Sequence, residues 1–172
     1  MRQSVVVATF AAVLLAACSS QPPAPEQKPA PPQAKAEPAP VKQEAVDPWG
    51  IAALKDPKSI LSKRSVYFDF DEYVIKDEFK PLVEAHAKFL SHNASAKMLV
   101  QGNADERGSR EYNLALGQKR AEAVKKALLL QGGKETQVEA VSLGEEKPRC
   151  TEQSEDCWAQ NRRDDMLYNG EY

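Results

Sequence analysis

The sequence has little of what most enzyme sites are built from. Its 172 residues include 2 histidines and 3 cysteines, and His86 and His92 stand far from the cysteines, a poor spacing for a zinc-type ligand set. No nucleophile elbow, Walker loop, H-E-x-x-H helix or dinucleotide glycine pattern occurs. Charge of one sign is lacking too. The 23 basic and 25 acidic residues leave a net charge of −2, without the basic field that a nucleic acid needs. Aromatic residues are scarce, at 7%, and the apolar run Val5–Ala17 is too short to span a bilayer. No cofactor, no metal and no nucleic-acid partner is therefore expected.

Proline is in excess. Of 12 prolines, nine fall between Gln21 and Pro48, so the average composition hides a linker and a domain. Setting aside the first 60 or so residues leaves about 110, enough for one domain that buries its own core. At the front, Met1-Arg2-Gln3 and the apolar run read as a secretory signal peptide over residues 1–17. Its end, Leu15-Ala16-Ala17-Cys18, resembles the bacterial lipobox, in which the cysteine thiol takes a diacylglyceryl group. Each buried CH₂ contributes roughly 0.8 kcal/mol, so several chains on Cys18 would hold a protein at a membrane without a spanning helix. Ser19, rather than Asp, follows the cysteine. By resemblance to the sorting rule of diderm bacteria, this implies the outer membrane, with the protein facing the periplasm. Residues 18–46 are rich in Pro and Ala and cannot bury enough apolar surface to order. At about 3.1 Å per residue, this tether would reach roughly 85 Å. Residues 47–63 are transitional, with Trp49, Ile51, Leu54, Ile60 and Leu61 interrupted by Gly50 and Pro57.

From residue 64 to 172 the pattern is that of a folded domain. Ser65 to Phe70 alternates, placing Val66, Phe68 and Phe70 on one face of a strand. Phe79, Leu82, Val83, His86, Phe89 and Leu90 recur at helical spacing, and His86 on that stripe reads as a satisfied core histidine. Lys97–Gly102 predicts a second strand and Arg110–Gln131 the longest helix, with Leu114, Ala121, Val124 and Leu128 as its core stripe and Gly132-Gly133 as its stop. Val138–Gly144 predicts a third strand, Trp158–Arg163 a short helix, and Asp165–Asn169 a fourth strand. Alternating strands and helices imply an α/β two-layer sandwich, with helices on one sheet. Cys150 and Cys157, with six residues between them, suit a disulfide in an oxidising compartment.

The informative stretch is Gly102-Asn103-Ala104-Asp105-Glu106-Arg107-Gly108-Ser109, leading into Arg110–Ala121. A strand stops at a glycine, a polar loop follows, and a helix begins near Ser109. Unpaired backbone N–H groups in such a loop suit a carboxylate. Asp105 adds a fixed negative charge, and Arg120 brings a planar cation. A zwitterion fits that set: its ammonium on Asp105, its carboxylate on backbone amides and Arg120. An Asx turn with a surface arginine explains the residues equally well. Asp69, Asp71 and Glu72 at the first strand's end can also be read as a glycosidase pair, though turn capping is the commoner role.

The run G-N-A-D-E-R-G-S-R-E-Y-N-L-A-L-G-Q-K-R-A, with V-Y-F-D-F-D before it and W-A-Q-N-R-R-D-D after it, resembles the peptidoglycan-associated lipoproteins. That family shares the C-terminal domain of outer membrane protein A. The likeness covers roughly residues 60–169, and the lipobox and tether fit the same layout. It implies a mixed sheet and a non-catalytic wall-binding domain that grips diaminopimelate of the peptidoglycan stem. Carried over by position, the binding aspartate is Asp105 and the binding arginine Arg120. Phe70, Asp71, Asn103 and Arg107 line the pocket, and Asn161 and Arg162 lie near it. The resemblance also implies work in the Tol–Pal system for envelope integrity and outer-membrane constriction at division, with TolB as partner and TolA and other outer-membrane proteins as further candidates. A lipid-anchored cell-wall hydrolase is the alternative. On the binding reading, Asp105→Ala and Arg120→Ala are each expected to abolish most wall binding and leave the unfolding midpoint nearly unchanged.

Overall fold

Four strands and three α-helices carry the chain from Ser65 to Tyr168. The computed structural model describes residues 47–171, all within one structural unit. The signal peptide expected over 1–17, the lipid on Cys18 and the tether over 18–46 lie outside the described residues. Strands β1 (Ser65–Tyr67), β2 (Met98–Asn103), β3 (Val138–Gly144) and β4 (Arg163–Tyr168) form one sheet in the order β1-β4-β2-β3. β4 runs antiparallel to both β1 and β2, while β2 and β3 are parallel, so the sheet is mixed. Helices α1 (Lys80–His92), α2 (Arg110–Leu130) and α3 (Glu155–Asn161) complete the α/β sandwich expected from the alternation.

Register decides what faces the helices. Val100 pairs with Met166, Met98 with Tyr168, and Gly102 with Asp164, which in turn pairs with Val66 of β1. Every one of these residues is buried, because side chains two apart on a strand share a face. Helix α2 lies close on that face where two glycines meet. A Cβ on Gly102 would stand 2.0 Å from the Gly117 carbonyl oxygen, an approach that only a missing side chain allows. Arg120, one turn beyond Gly117, is thereby brought to the end of β2. Ser109 caps the helix, its Oγ accepting from the Tyr112 N–H at 3.2 Å. Gly132, at φ 109°, follows its end as expected.

Several local expectations shift. β1 stops at Tyr67, and Phe70, expected on the buried face with Val66 and Phe68, is 56% exposed. The backbone leaves the strand at a turn where Asp71 adopts φ 59°, reversing the alternation that the sequence suggests. Leu114 is exposed as well. The buried face of α2 runs through Asn113, Leu116, Gly117, Arg120, Ala121, Val124 and Leu128, placing a cation on the inner stripe in place of a leucine. Helix α3 starts three residues early, at Glu155, because Ser154 caps it. β4 accordingly begins at Arg163.

His86 is fully buried and satisfied. Its Nε2–H donates to the Lys63 carbonyl at 2.8 Å, and its Nδ1 accepts from the Tyr168 hydroxyl at 2.7 Å. Burial drives its pKa down to about 4, against that carbonyl hydrogen bond. The segment before β1 is a clasp. Ala53 and Leu61 are buried, Trp49 and Leu54 pack against the core, and Arg64 donates to the carbonyls of Leu54 and Leu61. Glu171 closes it from the other terminus with a 2.6 Å ion pair to Arg64. Cys150 and Cys157 form a disulfide, Cα to Cα 5.2 Å.

Candidate ligand-binding site

The site forms where β2 ends and the turn after β1 folds over it. Asp105, only 4% exposed, is held by two arginines. Its Oδ1 accepts from the Arg107 N–H at 3.1 Å and the Arg107 Nε at 3.2 Å; its Oδ2 accepts from Arg107 Nη2 at 2.8 Å and Arg162 Nη1 at 3.2 Å. Burial pushes this carboxyl up, but the hydrogen bonds from Arg107 and Arg162 outweigh it and leave the pKa below the usual carboxylate value. The Arg107 guanidinium lies between two aromatic rings, 4.1 Å from the Phe70 centroid and 4.2 Å from that of Trp158. Arg162 also donates to the Phe68 carbonyl at 3.1 Å and to Glu155 at 2.6 Å.

Arg120 has no exposed surface. Its Nε donates to the Glu72 carbonyl at 2.7 Å, Nη1 to that of Asn103 at 3.0 Å and Nη2 to that of Asp69 at 3.2 Å, with the Phe68 ring 5.1 Å away. Burial lowers its pKa to about 10, so it stays charged at neutral pH. A guanidinium has five N–H groups, and two of these remain unused. The turn after β1 is thus tied to α2 by its carbonyls. The Tyr112 hydroxyl adds a bond to the exposed Asp71 carboxylate.

Between these groups lies a notch of about 30 Å³, walled by Phe70, Asp71, Ala104, Asp105, Arg107, Tyr112, Asn113, Leu116 and Arg120. Larger grooves of about 370 and 490 Å³ lie elsewhere, one walled by Ile51, Leu54, Phe89 and Tyr168, the other by Ile60, Tyr67, Phe79 and Leu82. None of the charged residues in those grooves is buried, whereas the notch joins buried charges of both signs. Size therefore does not follow chemistry here.

Of the eight residues expected at the site, Phe70, Asp71, Asp105, Arg107 and Arg120 wall the notch. Asn103 contributes its carbonyl to Arg120, while its side-chain amide donates to the carbonyls of Gln101 and Arg163. Arg162 backs Asp105 without reaching the notch wall. Asn161 is a loop pin: its Oδ1 accepts from the N–H groups of Arg149 and Cys150, and its Nδ2 donates to the Cys150 carbonyl. Sequence reasoning passed over Tyr112 and Trp158, whose partners are distant in the chain. Of the acids read as a glycosidase pair, Asp69 is paired with Lys76 at 2.8 Å and Asp71 with Tyr112. Among the described residues no group of His, Cys, Asp and Glu is arranged to hold a metal ion.

Fold and site together define a binding domain built around a buried acid and a buried guanidinium. A family model described as the OmpA family matches residues 67–162. The peptidoglycan-associated lipoprotein of Pasteurella multocida is 47% identical over 104 residues, 60% of this chain and 69% of the relative. That of Pseudomonas putida is 43% identical over 111 residues, 64% and 66% of the two chains. The crystal structure of the peptidoglycan-associated lipoprotein from Burkholderia pseudomallei superposes with a TM-score of 0.67 at 56% identity, over 67% of this chain and 98% of that one. The C-terminal domain of Helicobacter pylori MotB, at 20% identity and a TM-score of 0.58, shares the fold. The chain belongs to the OmpA family, among the peptidoglycan-associated lipoproteins.

Proposed function

We propose that this protein binds peptidoglycan non-covalently from a lipid anchor in the outer membrane and performs no catalysis. The observation that carries the reading is the notch walled by two carboxylates, Asp71 and Asp105, and two guanidiniums, Arg107 and Arg120. Such a set is complementary to a group bearing an ammonium and a carboxylate on one carbon, as the side-chain end of diaminopimelate does. The carboxylate takes the two unused N–H groups of Arg120, entering past Phe70 and Tyr112. The ammonium goes to Asp105, with Asp71 beside it. Asp105 already accepts four hydrogen bonds, so the ammonium displaces the Arg107 guanidinium from it.

The remaining parts follow the same reading. Residues 1–17 direct export, Cys18 carries the lipid, residues 18–46 span from membrane to wall, and residues 64–172 grip the wall. The protein then acts in the Tol–Pal system for envelope integrity and constriction at division, with TolB as its partner.

Co-sedimentation with purified sacculi tests the reading. The wild-type protein is expected to pellet with sacculi and release no soluble fragments, and Asp71→Asn, at an exposed position, to pellet less. A wild-type protein that stays in the supernatant overturns the reading, and fragment release would restore the hydrolase.

A further inference from the structure

Asp164 is an ionisable group inside the sandwich with nothing bonded to it. It has no exposed surface, and neither carboxyl oxygen has a hydrogen-bond partner among the described residues. The buried Asn103 Oδ1 is likewise without a partner. Buried polar groups are normally satisfied, so an orphaned carboxyl calls for an explanation. The register supplies one. Asp164 pairs across the sheet with Gly102 on β2 and Val66 on β1, so it lies on the helix-facing side where the Gly102–Gly117 contact draws α2 down. Arg120, one turn along α2, is the cation that acts on it most strongly. Arg163 and Asp165, on Asp164's own strand, pair with each other at 2.9 Å. β1 and β2 present no charge there, since their residues in register are Val66 and Gly102. Around Arg120 stand Asp164, Asp105 and Asp71 as acids and Arg162 as a cation. Of these, Asp105 is bound by Arg107 and Arg162, and Asp71 by Tyr112. Among the described residues Arg120 has no ion pair within 4 Å, and its bonds go to carbonyls.

We propose that Asp164 sets how firmly Arg120 holds a ligand carboxylate. Ionised, Asp164 competes for the guanidinium's charge from within the core; protonated, it leaves that charge to the ligand. Binding a carboxylate at Arg120 therefore shifts Asp164 toward its protonated form, with up to one proton taken from solvent. Burial favours the protonated form, opposed by Arg120. Asp164 is a positioning residue that touches no ligand. The inference rests on the functional reading above, in which Arg120 receives a carboxylate.

Titration calorimetry with a soluble diaminopimelate-containing muropeptide tests it between about pH 5 and 7, above the range of the ligand's carboxylates and below that of its ammonium. For the wild type, affinity is expected to fall about fivefold or more with rising pH, with proton uptake seen as a buffer-dependent heat. Asp164→Asn and Asp164→Ala are expected to bind at the wild type's low-pH strength across the range. A flat wild-type profile, or a slope that survives in Asp164→Asn, overturns the proposal. A second readout needs no ligand: the Arg120 Nε–H resonance should move with pH in the wild type and stay still in Asp164→Asn. If the muropeptide binds at no pH, the functional reading falls, and this resonance still decides whether Asp164 and Arg120 are coupled.

Discussion

The sandwich buries two polar clusters and treats them in opposite ways. The hydrogen bonds of His86 are neutral and matched, one donated to the Lys63 carbonyl and one accepted from the Tyr168 hydroxyl. Around Arg120 the groups are charged and incompletely matched, with spare guanidinium N–H groups and an orphaned Asp164. A buried charge costs several kcal/mol unless paired and hydrogen-bonded, so an unfinished charged cluster is a poor device for stability. The His86 cluster holds the fold shut, while on the proposed function the Arg120 cluster keeps bonding capacity in reserve for a ligand.

The largest effect is expected where the charged cluster is broken from within. Asp105→Ala strips the buried Arg162 of one anion and Arg107 of its main partner, and breaking a buried pair of this kind costs about 3–5 kcal/mol. Chemical denaturation of wild type and variant checks this. The burial of both residues runs against the expectation that Asp105→Ala and Arg120→Ala leave the unfolding midpoint nearly unchanged. Arg120→Ala also leaves three carbonyls without their donor, at about 1–3 kcal/mol for an unsatisfied group. Lost wall binding by either variant is therefore no clean evidence of contact, and a variant with an unchanged midpoint would put that residue at the surface.

The neutral cluster responds to pH instead. Below pH 6.5 the unfolded chain protonates His86, whereas the folded chain resists until about pH 4. The stabilisation is complete above 6.5 and is lost as pH falls from there to about 4. The gap corresponds to roughly 3 kcal/mol. Unfolding free energy measured across that interval should show this slope for the wild type minus His86→Leu, and equal slopes in both proteins would mean that His86 is not shielded.

The loop behind the charged cluster should respond less. Replacing Cys150 and Cys157 by serine opens a short loop, with a loss of about 2 kcal/mol from loop-closure entropy. Calorimetric unfolding of the double variant checks it. Binding should weaken together with stability, because Asn161 pins the Cys150 backbone on one side and adjoins Arg162 on the other. Unchanged binding would separate the loop from the site.

What the sequence revealed of this comparison depended on distance along the chain. Asp105 and Arg120 were legible because one continuous strand–loop–helix run carries both. The cap at Ser109 and the stop at Gly132 were legible because each is a local signal. The sandwich of Arg107 between Phe70 and Trp158 was not, since those rings come from separate turns and helices. The burial of Arg120 and Asp164 ran against polarity itself. A helical wheel scored for apolar residues selects Leu114 for the inner stripe and discards Arg120. The strand expected over Asp165–Asn169 starts one residue too late to include Asp164, which hydropathy does not distinguish from Asp165.

The smallest effect on stability should give the cleanest view of function. Phe70 is 56% exposed and outside the core, yet its ring stacks on Arg107 at the edge of the notch. Truncating it removes one of the two rings that fix the guanidinium, and exposed substitutions usually change stability by no more than about 0.5 kcal/mol. Phe70→Ala should therefore keep the wild-type unfolding midpoint while its sacculus binding changes. If the ring also packs on the ligand, binding weakens. If it serves mainly to hold Arg107 on Asp105 against the incoming ammonium, binding strengthens. Measuring Trp158→Ala beside it separates the two, because Trp158 touches Arg107 and does not wall the notch. Matching changes in the two variants point to control of Arg107, whereas weakening confined to Phe70→Ala points to direct contact. Unaltered binding in both would detach the aromatic pair from function and leave the buried charges alone to account for it.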